Sequence, residues 1–145
     1  MKKTNYVKIS ASSVEVNGEL IETISSGSGM LKEIYAQRIG NYPKFHKMDI
    51  LCQLGFIATE LLLLSEAETR FKERDDRAVI LFGLNSSYYT DVQYQKTISD
   101  KDNYFPSPSL FVYTLPNIVT GEIALRNNYH GETSYIVVEN KQQME

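Results

Sequence analysis

The chain has 145 residues, 42% of them apolar and 23% charged, with 15 basic and 18 acidic side chains for a formal net charge of −3. That balance fits one globular domain, large enough to bury roughly 68–70% of the surface its unfolded chain exposes. It offers no basic field to hold a nucleic-acid backbone, so nucleic acid is not an expected partner.

Tyr6–Ser10 alternates polar and apolar residues as a short strand does. Val14–Ile21 repeats the pattern around Asn17-Gly18, a dipeptide suited to a turn with positive φ at both central residues, and predicts an N-terminal β-hairpin or arm. Ser25–Gly29 is expected as a plain loop, because its glycines lack the Gly-Lys-Ser/Thr ending of a phosphate cradle. Met30–Ile39 has helical apolar spacing and a stop at Gly40-Asn41. Met48–Glu66 is a second, almost wholly apolar helix whose polar residues Asp49, Gln53 and Glu60 share one narrow stripe, as in a helix packed on several sides.

The charged segment Glu66–Arg77 leads into Ala78–Leu84, an unbroken apolar run expected as a central strand covered on both faces. Tyr88–Ile98 is a polar helix or ordered loop, and Asp100–Pro108 a turn-rich connection. Pro116 interrupts the next apolar stretch and is placed to start a helix running to about Asn127. Tyr135–Val138, within the apolar run Ser134–Val138, is the last strand. Helices between apolar strands favour an α/β fold with a mixed, mainly parallel sheet.

No spacing for a metal site is evident. One cysteine and two distant histidines cannot form a zinc motif, and Asp100-Lys101-Asp102 lacks the glycine and glutamate of a calcium loop. Cys52 is flanked by Leu51 and Leu54 and is expected as a buried core residue. His46 and His130 have no nucleophile nearby in sequence and are expected in surface or capping roles. The tyrosines at 88, 89, 94, 104 and 113 could line a ligand cleft or pack at an interface. The single cysteine leaves no intrachain disulfide, Lys2 and Lys3 precede no apolar signal core, and Ile50–Leu64 is too short and too interrupted to span a bilayer. A cytoplasmic protein without membrane contact is the expectation.

Several segments together resemble the β-ketoacyl (3-oxoacyl) carrier-protein synthases, the condensing enzymes of fatty-acid and polyketide synthesis. Tyr42–Asp49 with the helix that follows is similar to the start of the family's first major helix, and Ala78–Gly83 to the next strand. Ser107-Pro108, Phe111, Leu115-Pro116-Asn117 and Gly121-Glu122-Ile123-Ala124 resemble the segment before the cysteine-bearing strand. Gly131 and Thr133 resemble its Gly-Pro-Asn region, with Glu132 where proline is common. The likeness spans roughly residues 31–138 and is similar to short bacterial members tied to aryl-polyene or flexirubin-type pigments.

The resemblance implies half of a thiolase-like fold, with Pro116, Asn117, Gly121, Glu122 and Gly131 as its scaffold residues. Counted without gaps from Gly131, the nucleophile's position falls near Asn140, whose amide cannot form an acyl thioester. The family's second catalytic half does not fit in this length. No catalytic residue, cofactor or metal is therefore expected, and a non-catalytic homologue is.

If the three apolar strands shared one sheet, its inner face and its last edge would be uncovered. Ser134, Tyr135, Ile136, Val137 and Val138 are then the expected interface of a homodimer, or of a heterodimer with a complete condensing enzyme. Carrier protein is a further candidate partner. Folding of the N-terminal arm over the open face is an alternative, as are an active synthase completed by another chain and a binding module that inherited only the fold.

Overall fold

A computed structural model describes residues 4–144; Lys2 and Lys3 lie outside them. The described residues are mixed α/β, with five α-helices, a three-stranded antiparallel sheet and a two-stranded parallel sheet. It falls into two compact units, Met1–Arg70 and Phe71–Glu145.

In the first unit, β1 (Val7–Ile9), β2 (Val14–Val16) and β3 (Glu19–Ile21) form an antiparallel meander with Val7 opposite Val16 and Val14 opposite Ile21. The β2–β3 turn has the expected form: Asn17 and Gly18 have φ of 52° and 92°. The sheet is followed by α1 (Gly27–Arg38) and, past a 3₁₀ turn at Pro43–Lys47, by α2 (Ile50–Leu62). Helix α1 begins inside the segment expected as loop. Glu33 reaches back and accepts the amides of Ile24 and Ser25, both at 2.9 Å, which orders the serine-glycine stretch and holds the Glu33 carboxyl below its usual range.

Helix α2 packs on α1 and β1. Its core is aromatic: Tyr35 stacks on Phe45 with centroids 4.3 Å apart, and Phe45 meets Phe56 at 5.7 Å. Each phenylalanine, fully buried, contributes roughly 1.5–3 kcal/mol. The polar stripe of α2 is turned to internal work. Asp49 caps the helix by accepting the Cys52 amide at 2.9 Å, Gln53 donates to the Phe45 carbonyl at 3.1 Å, and Glu60 pairs with the buried Arg70 guanidinium.

In the second unit, β4 (Val79–Gly83) and β5 (Thr133–Val137) are parallel, Leu81 opposite Tyr135. The crossover between them carries α3 (Tyr88–Lys96), α4 (Pro108–Tyr113) and α5 (Ile118–Asn127). Pro116 stands between α4 and α5, as its missing amide hydrogen requires. Helix α5 packs against both strands and buries Val119, Ile123 and Ala124.

Three expectations need correction. Among the described residues the apolar strands do not share one sheet: β1 pairs only with β2, and β4 only with β5. Two of the three strand pairings among the described residues are antiparallel, so their pairing is not mainly parallel. Strand β4 is not covered on both faces, since Ile80 and Phe82 remain 51% and 43% exposed. An apolar run is equally compatible with a half-covered strand; pairing and cover depend on residues distant in sequence. Among the described residues, no helix is long and apolar enough to cross a membrane.

Candidate functional site

The features singled out by sequence converge on the β4–β5 pair. Alternation along β4 turns Ile80 and Phe82 to one face, and their register partners Ser134 and Ile136 lie beside them. Ile136 is 42% exposed, so Ile80, Phe82 and Ile136 form an open apolar strip. Of the five expected interface residues, Ile136 and Val137 are exposed, Ser134 and Tyr135 are half-buried, and Val138 is buried. Val138 is 9% exposed, and its amide donates to the Gly83 carbonyl at 3.0 Å, extending the ladder.

Tyr135 also packs within the strand pair. Its phenol lies across Gly83, where a Cβ would stand 2.0 Å from the hydroxyl oxygen. The glycine thus makes room for a ring that bridges the two strands, and burial pushes the Tyr135 hydroxyl's pKa up. Ser134 donates to the Glu132 carboxylate at 2.6 Å.

The scaffold residues divide. Pro116 and Asn117 form the turn into α5, and the Asn117 carbonyl accepts the Gly121 amide at 3.1 Å. Glu122 is buried on α5, whereas Gly121 is exposed with no neighbour within 4 Å of a would-be Cβ. Gly131 is sterically necessary: a Cβ there would lie 2.1 Å from the Arg77 carbonyl oxygen. The turn before β5 and the strand leading into β4 pass too close for any side chain at that point.

Candidate nucleophiles and bases are scattered. Asn140 is exposed at the head of a 3₁₀ turn, Lys141–Met144, where its side chain accepts the Gln143 amide at 3.3 Å. Cys52 is buried in α2. His46 is exposed and set edge-on to Tyr35 at 5.1 Å. Tyr94 packs on Phe111 at 5.5 Å, while Tyr88, Tyr89 and Tyr104 are more than 60% exposed, so the tyrosines do not close around a common cleft.

One constellation had no sequence signature. Helix α5 ends on Asn128, whose φ of 58° reverses the chain, and the segment after it pairs with Arg74. The Arg74 amide donates to the Asn128 carbonyl at 3.1 Å, and the His130 amide to the Arg74 carbonyl at 2.8 Å. This bridge gathers Glu73, Asp75 and His130, all exposed, with one ligand-capable atom of each within 4.8 Å of the others. Arg74 itself is engaged by Asp76 through bonds of 2.7 and 2.8 Å, which hold the Asp76 carboxyl down at about 2. Asp75 and His130 lie 55 positions apart, so no local pattern could show the group.

No protein-family model matches the chain, and no curated protein is significantly similar to it.

Proposed function

We propose that the protein is a non-catalytic relative of the β-ketoacyl carrier-protein synthases, which assists fatty-acid or polyketide synthesis of the aryl-polyene or flexirubin type by pairing with a complete condensing enzyme. In this reading, β4, β5 and α5 are part of a thiolase-like half. The observation that carries it is the order of the second unit: Pro116-Asn117 opens a helix packed on a parallel strand pair, and Gly131 turns the chain into β5. That is the order in which the resemblance places these residues. The open strip of Ile80, Phe82 and Ile136 supports the pairing, because apolar strand faces of this kind are normally covered by a partner. The exposed amide of Asn140 supports the absence of acyl transfer.

Two measurements test it together. After incubation with an acyl-carrier thioester, intact-mass spectrometry is expected to show no acyl adduct. Titration against a complete condensing enzyme from the same genome is expected to show a complex. Ile136→Glu would weaken that complex at least about tenfold, or ~1.4 kcal/mol. A stable adduct, or no complex at micromolar concentrations, overturns the proposal.

A further inference from the structure

We propose that Glu73, Asp75 and His130 form a site for a divalent transition-metal ion, zinc being the ion this donor set suits. The site is independent of the condensing-enzyme reading, since it uses none of the residues that carry it except the Gly131 turn beside it.

The geometry around His130 points to a ligand. Its Nε2 is 3.1 Å from Asn128 Oδ1, an oxygen that can only accept, so the tautomer carrying its hydrogen on Nε2 donates there and presents its Nδ1 lone pair to the carboxylates. Nδ1 faces Glu73 Oε1 at 3.6 Å. That separation is too long for a hydrogen bond. It matches the edge between two donors on one tetrahedral ion, which bond lengths of ~2.0–2.2 Å place about 3.3–3.6 Å apart. A carbonyl oxygen behind the far ring nitrogen is also the usual support of a metal-bound imidazole.

Asp75 supplies the third donor. The three atoms lie within 4.8 Å of one another, and the exposed carboxylates can close the remaining distance by rotating about their side-chain bonds. The backbone beneath them is held by the Arg74–Tyr129 bridge and by the contact at Gly131 that excludes even a methyl group.

Charge and chemistry select the ion. Two carboxylates and a neutral imidazole balance a divalent cation, and the Arg74 guanidinium beside them is taken by both oxygens of Asp76. Calcium and magnesium favour all-oxygen sets, whereas one imidazole with two carboxylates suits zinc and its neighbours. Bound there, the ion would clip the strand leading into β4 to the turn leading into β5, with its remaining positions open to water.

Zinc chloride titrated into the full chain by calorimetry tests the site. One ion per chain is expected to bind saturably at micromolar zinc and to raise the midpoint of thermal unfolding. His130→Ala, Glu73→Gln and Asp75→Asn should each lower the affinity at least about tenfold, while His46→Ala leaves it unchanged. These positions are exposed, and circular dichroism checks that each variant is folded. Absence of saturable binding up to millimolar zinc sinks the proposal. So does binding that survives the Glu73, Asp75 and His130 substitutions in folded protein.

Discussion

Glycines that look alike in the sequence differ sharply in what surrounds them. Gly121 and Gly131 both belong to the motif that resembles condensing enzymes, yet only Gly131 has a neighbour that forbids a side chain. Gly131→Ala would force the Arg77 carbonyl aside and should cost about 1–3 kcal/mol in urea unfolding. Gly121→Ala adds a methyl in open space on a helix and should stabilise by up to about 1 kcal/mol. Equal effects at the two positions would show that the turn before β5 is looser than described. Asp76 offers a second test. Its carboxyl is lowered from 3.8 to about 2, first by the hydrogen bonds from Arg74. A lowered carboxyl stabilises the folded state above its ordinary value and loses that contribution as pH falls through about 2. Carbon-13 titration should therefore find the Asp76 midpoint near 2, and Arg74→Ala should return it to the ordinary aspartate range.

At the level of elements, helix α2 shows how a polar stripe can be read correctly and its purpose still be hidden. Asp49, Gln53 and Glu60 share one line at helical spacing, but their partners, the Cys52 amide, the Phe45 carbonyl and the Arg70 side chain, are set by packing. Glu60 and Arg70 are the strongest case, with side chains 4% and 8% exposed. Removing one partner leaves the other charge buried without its counterion. Glu60→Ala should cost about 3–5 kcal/mol in denaturant unfolding, and Glu60→Leu with Arg70→Met should recover much of it. A loss below 1 kcal/mol in the single variant would mean that water reaches the pair. Strand β4 is the converse case. Its apolar run is continuous in sequence, yet Ile80 and Phe82 stay about half exposed among the described residues.

For the molecule as a whole, that open strip and the two-stranded sheet carry the question of assembly. Each strand has one edge without a ladder partner among the described residues, and Ile136 and Val137 are exposed beside one of them. A partner strand added at β5 would satisfy backbone groups and cover apolar surface at once. Sedimentation of the chain with a complete condensing enzyme reads this directly, and the Ile136→Glu variant separates sheet-face contact from general stickiness.

Much of the secondary structure was legible because its causes are local. The Asn17-Gly18 turn, the stop at Gly40, the break at Pro116 and the final apolar strand each follow from backbone preferences of a few adjacent residues. The start of α1 was missed because Glu33, eight residues beyond Ser25, orders the glycine stretch from outside it. Which strands pair, which face of β4 stays open, and that His130 meets Glu73 and Asp75 were decided only in three dimensions. Those outcomes depend on contacts between residues dozens of positions apart, and hydrophobic periodicity carries no information about which distant segment will supply the other side.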